Sequence, residues 1–219
     1  MKKQFAVIGM GRFGSSVAQS LCKFGYDVLA VDGDEHRIQE VSQYVTHAVQ
    51  ADTTDENALR ALGIRNFDVV VVAIGADVQA SILTSLILKD IGVKTLIVKA
   101  QDELQGKVLQ KIGADKVIFP ERDMGQRVAH GLISPNILDY IELSDDYSIV
   151  ELNASSRLVG QSLRTLDIRA KFGCNVMAIK HGGKMNITPN ADDLIREGDV
   201  LVVVGRNSDL SKFEKNYLE

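Results

Sequence analysis

The stretch that decides the fold is Gly9-Met10-Gly11-Arg12-Phe13-Gly14, which directly follows the apolar run Phe5-Ala6-Val7-Ile8. Its three glycines have the GxGxxG spacing of a turn between a strand and a helix. The first glycine permits a tight turn, the second lets a phosphate approach the backbone, and the third lets the helix pack closely on the strand. The helix that follows presents free N–H groups and the positive end of its dipole to an anion.

Asp32, at the end of the next apolar run, indicates the class of ligand. A carboxylate in this position accepts hydrogen bonds from ribose hydroxyls and repels a 2′-phosphate. We therefore expect an adenine nucleotide that keeps its free 2′-hydroxyl. A structural strand-to-helix turn without a ligand is the alternative.

The composition narrows the function classes further. The chain has 219 residues, of which 45% are hydrophobic and 25% charged, and its net charge of −4 argues against a nucleic-acid partner. At about 100–200 residues per domain, the length fits one large domain or two modest ones. Cys22 and Cys174 lie in apolar contexts, which is typical of buried thiols in a reducing cytosol. No apolar run reaches membrane-spanning length, so we expect a cytoplasmic protein.

Strand-like and helix-like segments alternate through residue 119, which predicts an α/β fold. The predicted strands are Gln4–Ile8, Asp27–Val31, Ala48–Ala51, Val69–Ile74, Thr95–Lys99 and Lys116–Phe119. The predicted helices are Phe13–Phe24, Glu35–Tyr44, Glu56–Leu62, Val78–Asp90 and Glu103–Ile112. Glycines that suit helix C-termini follow at Gly25, Gly63, Gly92 and Gly113. Residues 1–120 are thus expected to form a Rossmann-like, doubly wound parallel sheet, with its ligand at the carboxyl ends of the strands.

A helical crossover is expected over residues 121–143. Its apolar residues have helical spacing, and Pro135 interrupts them, which predicts a pair of helices. These apolar residues are Met124, Val128, Leu132, Ile133, Ile137, Leu138 and Ile141. The pair packs either against another subunit or domain, or back on its own sheet.

The last part, residues 144–219, is expected to be a small α+β domain. Its predicted strands are Tyr147–Asn153, Asn175–Lys180, Lys184–Ile187 and Asp199–Val204, and its predicted helices are Ser162–Lys171 and Asp209–Tyr217. His181-Gly182-Gly183-Lys184 indicates a hairpin. Because a unit of about 75 residues has a small core, we expect it to gain stability by dimerising or by docking on a neighbour.

Catalytic patterns are missing from the sequence. None of its tyrosines has a lysine four residues later, and it contains no GxSxG, HExxH or CxxC motif. None of the four histidines, His36, His47, His130 and His181, pairs locally with an acid as a base and its orienting group. The sequence therefore favours a ligand-gated regulator over an oxidoreductase.

Further motifs extend through both halves of the chain. They are Thr46-His47-Ala48-Val49, Leu62-Gly63-Ile64-Arg65-Asn66-Phe67-Asp68, Val72-Ala73-Ile74-Gly75, Val98-Lys99-Ala100-Gln101, Pro120-Glu121-Arg122-Asp123-Met124 and Leu166-Asp167-Ile168-Arg169-Ala170-Lys171-Phe172-Gly173. With residues 5–14, they resemble the RCK (regulator of potassium conductance) proteins. Within that family the resemblance is to the KtrA/KtrC group, the cytosolic regulatory subunits of Ktr/Trk-type potassium-uptake systems. Gly33 is a departure, since relatives commonly carry a larger residue there.

The resemblance implies an assembly and its ligands. Homodimers form a homo-octameric ring on the inner face of the membrane, docked on a membrane-embedded potassium-translocating subunit. ATP or ADP binds the Rossmann cleft, and ATP favours the activated state; NAD(H) is the alternative cofactor, since Asp32 suits either. Many members bind cyclic di-AMP at a dimer interface of the C-terminal lobe, which inactivates uptake.

The expected nucleotide-binding residues are Gly9, Met10, Gly11, Arg12, Phe13, Gly14, Asp32, Asp52, Thr53, Ala73, Ile74, Gly75 and Lys99. The resemblance implies that Arg12 reaches the terminal phosphate of a nucleotide in the neighbouring subunit. Asp52 and Thr53 either approach the adenine or cap a helix, and Lys99 either reaches the nucleotide or is an ordinary surface lysine.

Two further sites follow from the resemblance. Glu121 binds Mg²⁺ or another cation near the phosphates, or else forms a plain salt bridge with Arg122 or Lys99. The residues that match the cyclic di-AMP positions are Arg169, Ala170, Asn175, Val176 and Pro189. There Arg169 pairs with a phosphate and Asn175 reads the adenine edge; from the residues alone, Arg169 is a cation at a helix C-terminus.

Overall fold

The computed structural model describes residues 2–133 and 137–217. The chain divides into two compact units, residues 1–122 and residues 123–219. Among the described residues, no helix is both long enough and apolar enough to cross a bilayer.

The first unit is a six-stranded parallel sheet with helices on both faces, which confirms the predicted doubly wound α/β fold. Its strands are β1 (Gln4–Ile8), β2 (Asp27–Asp32), β3 (His47–Gln50), β4 (Val69–Val72), β5 (Leu96–Lys99) and β6 (Lys116–Ile118). Its helices are α1 (Arg12–Lys23), α2 (Glu35–Ser42), α3 (Glu56–Ala61), α4 (Val78–Ile91) and α5 (Glu103–Ile112). The strand order is β3-β2-β1-β4-β5-β6, so the order reverses between β1 and β4.

Two apolar layers hold this sheet between its helices. Ala18 of α1 and Val41 of α2 are buried in the layer on one face. Leu59, Leu88 and Leu109, one from each of α3, α4 and α5, are fully buried in the layer on the other. Because both faces are covered, central strands such as β4 are apolar at every position.

Local signals end these helices where the sequence predicts. Gly25, Gly63, Gly92 and Gly113 all have positive φ angles, between 65° and 98°, so they have the left-handed backbone expected after a helix. One glycine inside a helix has a different reason. A Cβ on Gly106, in the middle of α5, would lie 2.6 Å from Cζ of Phe119, so the glycine leaves room for that ring.

The second unit is built on a five-stranded antiparallel sheet in the order β10-β9-β11-β8-β7. Its strands are β7 (Ile137–Ser144), β8 (Tyr147–Asn153), β9 (Asn175–His181), β10 (Lys184–Asn186) and β11 (Val200–Arg206). Its helices are α6 (Pro120–Ile133), which begins in the first unit, α7 (Leu163–Leu166), α8 (Ile168–Phe172) and α9 (Asn207–Tyr217). Leu152, Leu166, Leu201 and Phe213 are fully buried in its core.

The predicted second helix of the crossover is wrong. Residues 137–144 form β7, which pairs antiparallel with β8. The short turn at Asp145-Asp146 joins the two strands, and their pairing overrides the helical spacing of Leu138 and Ile141. Pro135 lies outside the described residues. The apolar side chains of Met124, Val128, Leu132, Leu138 and Ile141 are exposed, and their packing against another subunit stays a prediction.

The predicted helix Ser162–Lys171 is also wrong as a single element. It is two short helices, α7 and α8, that meet at Asp167, whose φ of 45° is in the left-handed region. Leu166 and Ile168 on either side are both buried. In a continuous helix, residues two apart point in nearly opposite directions, so the break lets both side chains face the core.

Candidate functional site

A cleft of about 1360 Å³ lies at the carboxyl ends of the parallel strands. Ligands bind at this place on doubly wound sheets, next to the point where the strand order reverses. Of the expected nucleotide-binding residues, all but Gly14 line it, together with Glu121. Several of these residues lie just beyond the strands and not at their ends: Asp52 and Thr53 follow β3, and Ala73, Ile74 and Gly75 follow β4.

The three glycines of the turn have separate roles. Gly9 has a φ of +93°, and a Cβ there would lie 2.9 Å from the backbone nitrogen of Ile74. A Cβ on Gly14 would lie only 1.8 Å from the carbonyl oxygen of Gly9, so Gly14 permits close helix–strand packing and does not line the cleft. A Cβ on Gly11 would meet nothing within 4 Å, so the space beside it is open to a ligand.

Asp32 is nearly buried and is fixed by the backbone of the same turn. Its Oδ2 accepts the N–H of Met10 at 2.5 Å, and its Oδ1 accepts the N–H of Asp34 at 2.9 Å. The Nη1 atom of Arg37 lies 3.6 Å from Oδ2. Since each carboxylate oxygen has two lone pairs, both can accept a further hydrogen bond from a ribose hydroxyl.

The cleft is also lined by the charged residues Arg12, Lys99 and Glu121. Helix α1 begins at Arg12 with no side-chain cap on its first N–H groups, and the Arg12 side chain is exposed. Lys99 is buried, which is contrary to the surface-lysine alternative, and its Nζ lies 5.8 Å above the ring of Phe13. These positive groups and open N–H donors suit an oligophosphate.

Glu121 forms an ion pair with Lys99, one of the two salt bridges that the sequence left open. It lies in the first turn of α6 and not at the end of β6, which stops at Ile118. The hydrogen bond from Lys99 holds the pKa of the Glu121 carboxyl below its usual value, and the charge of Arg12 adds to this. Within residues 2–133 and 137–217, no group of three or more His, Cys, Asp or Glu side chains could hold a metal ion. Cation binding at Glu121 stays a prediction.

Asp52 and Thr53 form the wall on the side of β3. Asp52 is exposed, and its Oδ1 accepts hydrogen bonds from the N–H and hydroxyl of Thr54, which lower the pKa of Asp52. The cap of α3 is Asp55, so the alternative of Asp52 as a helix cap is wrong. Thr53 is buried, and its Oγ1 lies 3.1 Å from Oγ1 of Thr84 in α4.

The residues predicted for a second nucleotide lie in the second unit. Arg169 and Ala170 are exposed in α8, Asn175 and Val176 begin β9, and Pro189 lies between β10 and β11. Helix α8 has only five residues, and Arg169 falls in its last turn. In so short a helix Arg169 lies within one turn of both ends, so the helix-end cation and the ligand role both stay predictions.

Comparison with known proteins assigns the family. Residues 5–120 match the TrkA-N domain family, and residues 147–217 match the TrkA-C domain family. The chain is 53% identical to the Ktr system potassium uptake protein C of Bacillus subtilis (strain 168), and the match covers 100% of this chain and 99% of that protein. It is 51% identical to Ktr system potassium uptake protein A of the same organism, over 97% of this chain and 96% of that protein. The chain belongs to the KtrA/KtrC group of RCK proteins.

A solved structure supports the fold of this KtrA/KtrC-group chain. The crystal structure of the GsuK RCK domain superposes with a TM-score of 0.68 at 17% sequence identity. The match covers 100% of this chain and 48% of the GsuK chain. At that identity the likeness shows the fold alone.

Sequence reasoning missed part of the cleft of this KtrA/KtrC-group chain. Arg37, Gln50, Asp77, Ala80 and Gln101 also line it. All of them lie at or just beyond the carboxyl end of a strand, or in the first turn of the next helix. The sequence could have indicated these residues through their positions just after the predicted strands.

The expectation that no histidine pairs locally with an acid is wrong for His36, whose Nδ1 lies 3.4 Å from Oε1 of Glu40 on the exposed side of α2. A second histidine–carboxylate pair, in the second unit, was also missed. Nδ1 of His181 lies 2.5 Å from Oδ1 of Asp199, whose side chain is only 2% exposed. The second oxygen of Asp199 accepts the backbone N–H of Arg196 at 2.8 Å. The two partners are 18 residues apart, so a search for acids near each histidine in the sequence does not find the pair.

Proposed function

We propose that this chain is the cytosolic nucleotide-sensing regulatory subunit of a Ktr-type potassium-uptake system. It acts on a membrane-embedded potassium-translocating subunit and catalyses no reaction. The observation that supports the proposal is that one cleft is lined by Asp32, whose carboxylate can accept hydrogen bonds from a ribose, and by an open helix N-terminus with Arg12 and Lys99 beside it. The transport system is inferred from two relatives that match the chain over nearly its whole length, both of which are potassium uptake proteins of a Ktr system.

In this proposal, the protein distinguishes ATP from ADP by a contact between Arg12 and the γ-phosphate, which only ATP has. The guanidinium of Arg12 is exposed, so it is free to contact the γ-phosphate of a nucleotide that the neighbouring subunit holds. ADP has no γ-phosphate and cannot make this contact. A charge-assisted hydrogen bond contributes about 1.5–3 kcal/mol. Repeated around a homo-octameric ring of dimers, this difference is enough to shift a two-state equilibrium.

Lys99 and Glu121 complete the phosphate end. A phosphate beside Lys99 competes for the ammonium group, and the Glu121 carboxylate is then free to bind Mg²⁺ or another cation next to the phosphates. Carboxylate and phosphate oxygens are the ligands that Mg²⁺ prefers.

NAD(H) is the alternative ligand of the cleft. Asp32 suits its ribose as well as that of ATP, and a cleft of about 1360 Å³ also accommodates a dinucleotide. Cyclic di-AMP is proposed as a second, inhibitory ligand at the residues of α8, β9 and Pro189, completed by a partner subunit.

Calorimetric titration of the purified protein with ATP, ADP and NADH tests the assignment. We expect ATP and ADP to bind at the same site. Tight binding of NADH with negligible affinity for ATP would overturn the ATP/ADP assignment in favour of the NAD(H) sensor.

A substitution tests the role of Arg12. Arg12→Ala should keep nucleotide binding and lose the difference between ATP and ADP in potassium uptake by the reconstituted system. Arg60→Ala is the control, because Arg60 is an exposed arginine that pairs with Glu56 within α3. If the Arg12 variant still distinguishes ATP from ADP, the contact with the γ-phosphate is refuted.

A further inference from the structure

The buried face of helix α4 changes character along its length. Toward its N-terminus it buries Ser81, Thr84 and Ser85, each fully inaccessible to solvent, whereas toward its C-terminus it buries Leu88 and Ile91. The N-terminal end of a crossover helix lies beside the carboxyl ends of the strands, where the cleft is. The buried polar residues of α4 therefore follow directly on its end at the cleft, which Ala80 lines.

Buried hydroxyl groups are unfavourable unless they are hydrogen-bonded. Within the described part of the chain, no buried side-chain nitrogen or oxygen lacks a partner. The buried hydroxyl groups of α4 are thus all hydrogen-bonded, and two of them connect the helix to the walls of the cleft.

The first connection leads to the wall on the side of β3. Oγ1 of Thr84 donates to the carbonyl oxygen of Thr53 at 3.1 Å and lies 3.1 Å from its hydroxyl. Thr53 lines the cleft and is itself buried. One side chain of α4 therefore holds both the backbone and the side chain of a cleft residue.

The second connection leads to the wall on the side of β5. Gln105 of α5 is 4% exposed, and its Oε1 accepts the backbone N–H of Gln101 at 2.8 Å. Its Nε2 donates to Oγ of Ser81 at 3.4 Å, a longer contact. Gln101 lines the cleft two residues after Lys99. Ser81 and Gln105 thus join the β5 wall to the helix that also holds the β3 wall.

We propose that Thr84 and Gln105 are positioning residues of the nucleotide cleft, which hold its two opposite walls at a fixed separation through α4. Neither side chain lines the cleft. Each acts through the residue it bonds, Thr53 or Gln101. The proposal rests on the proposed function, in which the cleft binds a nucleotide.

Two substitutions remove these connections with little change in shape, Thr84→Val and Gln105→Met. We expect each to weaken ATP binding about five- to tenfold, the size of one lost hydrogen bond. Ser85→Ala is the matched control, since the Ser85 hydroxyl is equally buried but donates to the carbonyl of Ser81 in its own helix. Thr84→Ser keeps the hydroxyl and should restore affinity.

ATP affinity is measured by calorimetry, beside the unfolding free energy and backbone hydrogen exchange at residues 51–54 and 100–102. Weaker ATP binding in Thr84→Val and Gln105→Met, with faster exchange in the wall that each variant releases, supports the proposal. Wild-type affinity in both folded variants overturns it, and so does an equal loss in Ser85→Ala. If Thr84→Val fails to fold, Gln105→Met decides.

The exchange measurement separates this proposal from the proposed function. A wild-type protein that binds no nucleotide refutes the function. In that case, exchange in the ligand-free variants still decides whether the two side chains hold the walls, because faster exchange confined to the released wall supports that role and unchanged exchange refutes it.

Discussion

The parallel sheet of the first unit and the antiparallel sheet of the second bury their strands in different ways. In β4, Val70, Val71 and Val72 are all buried, because helices cover both faces. In β8, buried residues alternate with more exposed ones. A sheet covered on both faces leaves mainly its strand ends open to a ligand, so topology predicts where the site of the first unit lies. The second sheet imposes no such restriction, and its proposed ligand site depends on resemblance.

The largest expected effect is a loss of stability in the second unit. Phe213 is fully buried, and its ring packs against Phe172 and Tyr217, with centroids 5.6 and 5.5 Å away. Phe213→Ala should lower the unfolding free energy of this unit by about 3–5 kcal/mol, because it leaves a cavity. Urea denaturation measures the loss. The ATP affinity of the folded variant should be unchanged. A loss of ATP affinity would contradict the expectation that this substitution affects the second unit alone.

Substitutions in the glycine turn should, unlike Phe213→Ala, impair nucleotide binding. In Gly14→Ala the new methyl group overlaps the carbonyl of Gly9, so the turn must move. We expect a stability loss of about 1–3 kcal/mol, together with loss of nucleotide binding. In Gly11→Ala the methyl group meets open space, so stability should be retained and only nucleotide affinity should fall. Retained affinity in both variants would place the ligand elsewhere.

Removing the charge of Asp32 should have a smaller effect on stability. An asparagine side chain has one acceptor oxygen, so in Asp32→Asn either Met10 or Asp34 loses its N–H acceptor. The expected loss is about 1–2 kcal/mol in unfolding free energy, with weaker binding of ATP and ADP. Asp34→Asn is the control, since it makes the same charge change at an exposed helix cap that asparagine fills well. Calorimetry on both variants checks the pair, and equal effects would contradict the ribose contact.

The smallest expected effect is on how the stability of each unit depends on pH. In the first unit, hydrogen bonds from Leu96 and Lys89 lower the pKa of Asp115; in the second, Arg127 lowers that of Asp139. A lowered native pKa means that each carboxylate stabilises its unit above its unfolded pKa of about 3.9. That stability disappears as the pH falls through the lower native value.

Urea midpoints between pH 7 and pH 3 test this sign. Asp115→Asn should reduce the acid sensitivity of the first unit and Asp139→Asn that of the second. A variant that reduces the acid sensitivity of both units, or of neither, would contradict the assignment.

The parts that the sequence predicts well depend on short-range signals. The glycine turn, Asp32 and the glycines after the helices each lie within a few residues of the element they shape. They are enough to place strands, helices and the cleft of the first unit. Lys99 and Glu121 are 22 residues apart, so their pairing stays one of two alternatives until the fold brings them together.

The errors come from contacts that the local pattern does not contain. The apolar residues of β7 fit a helix as well as a strand, and only pairing with β8 decides between them. The network of α4 was overlooked, although Ser81, Thr84 and Ser85 lie on the same helical stripe as Leu88 and Ile91. Polar residues on an otherwise apolar stripe were the signal that could have found it.

The clearance at Gly106 limits how this protein can be engineered for heat tolerance. Alanine is the usual replacement for a glycine inside a helix, since it favours the helix by about 1 kcal/mol. Here the added methyl group would displace the ring of Phe119, two residues before Glu121. Directed evolution toward higher melting temperatures should therefore leave Gly106, which is buried, unchanged and work on exposed positions.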